Sequence, residues 1–155
     1  MEIWIDGDAC PREVKTIVFK ASQRTKTKVN YIANSLHRNL PVSPLVQVLV
    51  VSGLFDAADS HILDNLSDKD LVITGDIPLA YEAIKRHAVV ITPRGELLTT
   101  ESIGEKIALR NLREELRQGG LIRGGPQAFN EKDKKNFAQI FDKILTHGLI
   151  KSQRK

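Results

Sequence analysis

Residues 1–20 read MEIWIDGDACPREVKTIVFK, and in this stretch two carboxylates, Asp6 and Asp8, follow an apolar run. The run EIWI is typical of a buried strand, and the segment that begins at Pro11 has the period and the proline start of a helix. Two like charges where a strand gives way to a helix repel each other, and each loses hydration unless a cation or several donors offset that cost. The pair is therefore a candidate functional site.

The composition favours one soluble domain. With 155 residues the chain is long enough to bury a core without disulfides, and its single cysteine excludes an intrachain disulfide. No apolar run approaches the ~20 residues that a membrane span requires, and no signal peptide precedes the first strand. We expect a cytoplasmic protein with one domain over residues 1–155.

The positive charge is concentrated near the end of the chain. The net charge is +4, and residues 132–155 carry seven Lys or Arg against two Asp. This distribution is typical of a solvated terminal helix that ends in a basic, flexible tail over residues 148–155. It also allows the tail to contact nucleic-acid phosphates.

Short apolar runs alternate with longer segments of helical period, which predicts a mainly parallel α/β sheet flanked by helices. Strands are predicted at EIWI, KVNYIA, VQVLVVS, LVITG and AVVIT, and VQVLVVS is continuous enough to be buried on both faces. Helices are predicted at PREVKTIVFKASQR, DAADSHILDNL and PLAYEAIKRH. Beyond residue 100 the pattern predicts helices alone, over 101–117 and 130–146, joined by the glycine-rich QGGLIRGGPQAF.

Carboxylates follow three of the predicted strands. Asp6 and Asp8 follow the first, Asp56 and Asp59 the third, and Asp76 the fourth. Ligands of an open α/β sheet bind beyond the carboxyl ends of its strands, so these acids converge if the three strands are neighbours. Oxygen ligands without histidine or thiolate partners suit Mg²⁺ or Mn²⁺. Such an ion can activate water and clamp the oxygens of a phosphodiester.

Most of these acids also have a structural interpretation. Asp8, Asp56 and Asp76 can cap the helices that follow them, and the helix dipole favours Asp59 in a first turn. Asp6 has no comparable capping role, because Asp8 lies nearer the helix.

Three further residues are candidates for binding a phosphate. Thr74 lies two residues before Asp76, and it can hold a phosphate or simply be a β-branched strand residue. Arg94 follows the fifth strand, where it can bind a phosphate bidentately or pair with an aspartate. Arg123 lies among glycines that allow either a mobile substrate flap or a helix C-cap followed by a turn.

The helix predicted over residues 101–117 carries a basic stripe. Its cations follow each other at spacings of four, three and four, so they share one face: Lys106, Arg110, Arg113 and Arg117. The stripe can track a nucleic-acid backbone, but Glu105, Glu114 and Glu115 interrupt it, which favours a solvated, salt-bridged face. The buried face is predicted to contain Ile103, Ile107, Leu112 and Leu116.

Four motifs carry a resemblance to a known family. In chain order they are IDGDACP, GLFDAADSHI, DLVITGDIPLA and TPRGELLT, and together they resemble the bacterial YaiI/YqxD family, a branch of the PIN/NYN nuclease-like superfamily. The resemblance implies a three-layer PIN-like α/β domain with C-terminal helices, and acids after the first, third and fourth strands that hold a divalent metal for RNA cleavage. Asp6 matches the first acid, Asp59 or Asp56 the second, and Asp76 the last. The sequence departs from many PIN-like nucleases after Asp76, where IPLA supplies no further acid.

The sequence therefore predicts a Mg²⁺- or Mn²⁺-dependent ribonuclease. Asp6, Asp59 and Asp76 would hold the metal, while Asp8 and Asp56 would support it or orient water. One alternative is a phosphatase of the haloacid dehalogenase type, in which Asp6 and Asp8 form the D-x-D pair of nucleophile and acid. A second alternative is a non-catalytic RNA-binding module.

Overall fold

The computed structural model describes residues 1–37, 40–51, 57–123 and 128–153. Within these ranges the strands are β1 (Ile3–Asp6), β2 (Val29–Ala33), β3 (Val46–Val50), β4 (Leu71–Ile73), β5 (Val89–Ile91) and β6 (Leu97–Leu98). The helices are α1 (Arg12–Thr25), α2 (Ala57–Asn65), α3 (Ile77–Lys85), α4 (Thr100–Gln118) and α5 (Glu131–Gln153), and a short 3-10 helix, Gly7–Ala9, joins β1 to α1. The predicted α/β class is confirmed.

The sheet has the strand order β3-β2-β1-β4-β5-β6, in which all neighbours are parallel except β5 and β6. After β1 the chain adds β2 and β3 on one side, and it then returns to place β4 on the other side of β1. The strand order therefore changes direction between β1 and β4, and in open α/β sheets the crevice at such a point binds ligands. Of the three strands that precede acids, β1 and β4 are neighbours, whereas β3 lies two strands away.

Helices cover both faces of the sheet and complete three layers. On one face α1 and α5 pack against the sheet around fully buried side chains such as Tyr31, Phe137 and Phe141. On the other face α2, α3 and the start of α4 pack around Trp4, Ile62 and Leu79. Alternate residues of β1 supply both cores, as a strand buried on both faces requires.

The prediction that VQVLVVS is buried on both faces is wrong. β3 is the edge strand of the described sheet, and Val48 and Val50 are 38% and 41% exposed. Consecutive apolar residues indicate a strand but do not say whether a neighbour covers it. The sequence pattern also missed β6, which has only two residues and pairs antiparallel with β5.

The two C-terminal helices differ from the prediction in how far they extend and how well they are covered. In α4, Ile103 is buried, but Leu112 is 50% exposed, so the predicted burial of Leu112 is wrong. From residue 108 to residue 120 every residue except Leu116 is exposed, because this half of the helix projects beyond the layer that covers the sheet. Helix α5 continues to Gln153, past the predicted end at residue 146.

Candidate functional site at the ends of β1 and β4

The buried carboxylate of Asp6 closes β1 at the point where the strand order changes direction. Asp6 is only 6% exposed. The hydroxyl of Thr74, directly after β4, donates to Oδ2 of Asp6 at 3.0 Å, and the same oxygen of Thr74 accepts the backbone N–H of Asp76 at 3.0 Å. Because that oxygen accepts from Asp76, its own proton is directed to Asp6. Thr74 therefore ties the carboxylate of β1 to the turn after β4.

Asp76 serves as the N-cap of α3 and is also a neighbour of Asp6. Its Oδ1 accepts the backbone N–H of Leu79 at 3.1 Å, which bears out the capping interpretation. No donor from the described residues reaches the second carboxylate oxygen of either Asp6 or Asp76. Each acid therefore keeps one oxygen for another partner.

The surroundings of Asp6 disfavour its charged form. Burial raises the pKa of the Asp6 carboxyl, the hydrogen bond from Thr74 lowers it, and the nearby charges of Asp76 and Asp8 raise it further. The net pKa lies above the ordinary value, because one hydrogen bond does not offset lost hydration and two like charges. A cation beside Asp6 would reverse this effect.

Asp8 is engaged with the loop after β2. Its Oδ2 accepts the backbone N–H of Asn34 at 2.6 Å, and its Oδ1 accepts the Ser35 hydroxyl at 3.4 Å. The ring of His37 lies 3.2 Å from the same Oδ1. The structure thus places Asp8 near Asp6, but its carboxylate is already bound by the loop.

A buried tyrosine holds the turn between Asp6 and Asp8. The Tyr31 hydroxyl donates to the backbone oxygen of Gly7 at 3.2 Å and also contacts Nδ1 of His37. A Cβ at Gly7 would lie 2.5 Å from the Tyr31 ring, so only glycine fits there. Sequence reasoning missed Tyr31 and His37, because neither belongs to a motif with recognisable spacing.

The acids that follow β3 are placed differently. Asp59 is half-buried in the first turn of α2, as the helix-dipole interpretation predicts, and it has a polar or electrostatic partner. Asp56 lies outside the described residues, so its predicted role in the metal site stays a prediction. In the part of the chain that the structure describes, no group of three or more His, Cys, Asp or Glu side chains has the arrangement of a metal site.

The two predicted phosphate-binding arginines are not among the described residues that line the cavity next to Asp6. Arg94 pairs with Asp133 in the first turn of α5, with Nη1 and Oδ2 2.8 Å apart, which agrees with the ion-pair interpretation. Arg123 is exposed after the end of α4.

That cavity joins the acids to the basic stripe of α4. It has a volume of about 620 Å³. Its acidic end includes Asp6 and Asp76, and its other wall is formed by side chains of α4. The α4 lining consists of Lys106, Leu109, Arg110, Arg113, Glu114 and Arg117.

Comparison with known proteins identifies the family. The sequence profile described as "Uncharacterized BCR, YaiI/YqxD family" matches residues 4–147. The chain belongs to the YaiI/YqxD family. Similar proteins include the UPF0178 protein of Geobacter metallireducens, which is 47% identical over 99% of this chain and 98% of the relative. The UPF0178 protein of Maridesulfovibrio salexigens is 46% identical over 96% of this chain and 98% of the relative. The UPF0178 protein of Hydrogenovibrio crunogenus is 47% identical over 94% of this chain and 96% of the relative. No solved structure matches this chain.

The site of this YaiI/YqxD family member suits a weakly held hard cation. Two carboxylates, each with an oxygen open to a further partner, match the way Mg²⁺ binds through one or two carboxylates plus waters and substrate phosphates. They do not form the all-protein cage of a Ca²⁺ or structural Zn²⁺ site.

No described helix has both the length and the hydropathy needed to cross a membrane.

Proposed function

We propose that this YaiI/YqxD family member is a divalent-metal-dependent ribonuclease. Its active site, between the ends of β1 and β4, would hydrolyse phosphodiester bonds of RNA. The observation that carries the proposal is the buried Asp6 carboxylate, which lies at the change of strand direction with the Asp76 carboxylate nearby. A charge buried beside a second carboxylate costs free energy unless the group is protonated or a partner compensates it. A bound cation would supply that compensation.

The residues of the site have separate roles in this proposal. Asp6 and Asp76 would hold Mg²⁺ or Mn²⁺, which when bound promotes ionisation of a water and stabilises charge on phosphodiester oxygens. Thr74 orients Asp6 through its 3.0 Å hydrogen bond and thereby fixes the free oxygen. Helix α3, capped by Asp76, keeps the second carboxylate at the same edge of the sheet.

The contacts of Asp8 favour the nuclease over the phosphatase alternative. A D-x-D phosphatase needs its second aspartate to deliver a proton to the leaving group. Here the carboxylate of Asp8 is bonded to Asn34 and Ser35 and paired with His37. It is therefore engaged in holding the loop after β2.

Cleavage of labelled single-stranded RNA tests the proposal. The wild-type protein with Mn²⁺ should shorten the RNA, and EDTA or Asp6→Asn should abolish cleavage. Asp64→Asn is the matched control, because Asp64 is exposed on α2 and its charge lies outside the site. Equal cleavage by Asp6→Asn, or no cleavage with either metal, would overturn the proposal. Release of inorganic phosphate from a small phosphomonoester through an aspartyl-phosphate on Asp6 would favour the phosphatase instead.

A further inference from the structure

The basic stripe of α4 forms the wall of the cavity that leads to Asp6. The sequence alone favours a solvated, salt-bridged face for this stripe, but all four of its cations line the cavity that Asp6 and Asp76 also line. The second half of the helix is exposed from residue 108 onward except at Leu116. The stripe is therefore both accessible to a large ligand and continuous with the candidate site.

The four cations differ in how they are paired. Lys106 lies 2.7 Å from Glu96, and Arg117 lies 3.4 Å from Glu114. The two cations between them, Arg110 and Arg113, have no ion-pair partner among the described residues. Two uncompensated guanidinium groups side by side repel each other, and an anion with two charges in a row would relieve that repulsion.

We infer that α4 binds a single strand of nucleic acid, with consecutive phosphates on Arg110 and Arg113 and the strand running along the cavity toward Asp6. This inference rests on the proposed function and adds the surface that holds the substrate. Guanidinium groups bind phosphate oxygens bidentately, and a row of them on one helix face suits an anion that repeats at regular intervals.

The position of Asp6 selects an unpaired strand over a duplex. Because Asp6 is only 6% exposed and lines the cavity, a phosphate reaches it only from inside the cavity. An unpaired strand can bend into such a space, whereas the phosphates of a duplex stay on the surface of a stiff rod. The stripe runs from Lys106 to Arg117, twelve residues of helix or about 16 Å, so it is long enough to contact several consecutive phosphates.

The composition of the cavity predicts recognition of the backbone and not of the bases. The described lining contains no aromatic side chain, and stacking on aromatic rings is what usually holds unpaired bases. Affinity should therefore depend on phosphate contacts, fall steeply with salt and vary little with base sequence.

Binding of a labelled twelve-nucleotide RNA in EDTA tests the inference without turnover. Fluorescence anisotropy at several salt concentrations gives the slope of log affinity against log salt. The variant Arg110→Gln/Arg113→Gln should bind more weakly, and its slope should be smaller by about 1.4, since each phosphate contact on a single strand contributes about 0.7. In wild type, affinity should rise with RNA length and level off once the strand is long enough to span the stripe.

Two controls locate the effect on the molecule. The variant Lys20→Gln/Arg24→Gln removes the same charge from α1, on the opposite face of the sheet, and should keep the wild-type slope. Removal of residues 148–155 tests the basic tail and should also leave the slope unchanged. An unchanged slope in Arg110→Gln/Arg113→Gln would overturn the inference, and so would a slope that falls only when the tail is removed. Binding is measured in EDTA and cleavage in Mn²⁺, so failure of the binding surface and failure of the nuclease are distinguishable.

Discussion

At the scale of single residues, Thr74 links the two candidate metal-binding acids. Its hydroxyl donates to Asp6 and accepts from the backbone N–H of Asp76, and the residue is only 1% exposed. Thr74→Val keeps the shape of the side chain but removes the hydroxyl, so Oδ2 of Asp6 and the backbone N–H of Asp76 lose this partner. We expect the variant to lower the free energy of unfolding by about 1–3 kcal/mol. Urea denaturation measures the change.

Thr74→Ser is the matched variant, because it keeps the hydroxyl and loses only a methyl group. It should recover most of the stability that Thr74→Val loses. Equal losses in the two variants would show that the methyl packing of Thr74, and not its hydroxyl, supports the turn after β4.

The raised pKa of Asp6 predicts a pH dependence of stability in the metal-free protein. Because the folded-state pKa lies above the unfolded value, the unfolded chain releases its proton first as pH rises. Stability then falls until the pH exceeds the raised pKa, and the loss persists at neutral pH. Asp6→Asn lacks this loss, so in EDTA at pH 7 it should melt no lower than wild type.

The same comparison at acidic pH supplies the control. At a pH below the pKa that Asp6 has in the unfolded chain, Asp6 is protonated in both the folded and the unfolded state. Asp6→Asn should therefore no longer melt higher than wild type there. Thermal melts across this pH range measure it. A metal-free Asp6→Asn protein that melts well below wild type at pH 7 would contradict a destabilising charge at Asp6.

The sequence predicts the acids at the strand ends, because a motif shows which residues stand beside a strand along the chain. It does not predict contacts between distant parts of the chain. Asp6 and Asp76 stand at strand ends, and the ends of parallel strands lie on one edge of the sheet. The bonds from Asp8 to Asn34 and Ser35 cross 26 and 27 residues, and no periodicity encodes which loop folds against which turn. Asp8 is therefore correctly placed near Asp6 by the sequence, while its loop contacts appear only in the structure.

At the scale of elements, α4 has a covered half and a projecting half. Ile103 is 3% exposed and Leu112 is 50% exposed, although both are predicted on the buried face. Ile103→Ala should cost about 2–5 kcal/mol of unfolding free energy, as buried aliphatic truncations do. Leu112→Ala should change it by no more than about 0.5 kcal/mol, as exposed substitutions usually do.

Urea denaturation of both variants distinguishes a projecting helix from a fully packed one. A loss at Leu112 as large as that at Ile103 would mean that another part of the protein covers the second half of α4 in solution. The accessible basic stripe would then not exist as described.

Helical period predicts the bounds of α4 closely, but it does not predict how much of the helix is covered. The sequence predicts a helix over 101–117, and the observed helix is Thr100–Gln118. Period identifies the face that points toward the protein, but coverage depends on which other elements reach that face, and the period of α4 does not encode them. The exposure of β3 has the same origin, because a strand pattern carries no information on which strand lies at the edge.

At the scale of the whole molecule, metal binding should depend on acids from two distant parts of the chain. A ligand at about 100 times its dissociation constant adds roughly 2.7 kcal/mol to the folded state, so Mn²⁺ should raise the melting temperature of wild type. Asp76→Asn keeps the helix cap, since asparagine caps well, but it should lose most of this gain. Asp64→Asn should keep the gain in full.

Equal responses to Mn²⁺ in wild type, Asp76→Asn and Asp6→Asn would contradict a shared metal site. The two acids would then be a helix cap and a buried strand-end carboxylate without a common ligand. The sequence alone predicts that Asp6 and Asp76 meet only if their strands are neighbours. It does not predict the strand order, because that order depends on how whole helices pack across the sheet. In the structure β1 and β4 are neighbours.

The central position of β1 has a consequence for how the protein is made. β1 is synthesised first, yet it pairs with β4, whose first residue is Leu71. At about 5–20 residues per second, translation takes roughly 3–13 s to deliver that partner. Throughout this time the apolar segment Ile3–Ile5, which is fully buried or nearly so in the finished protein, stays exposed along one edge. The newborn chain therefore carries an exposed apolar strand edge until β4 emerges from the ribosome, and the candidate metal-binding carboxylates of Asp6 and Asp76 can meet only after that point.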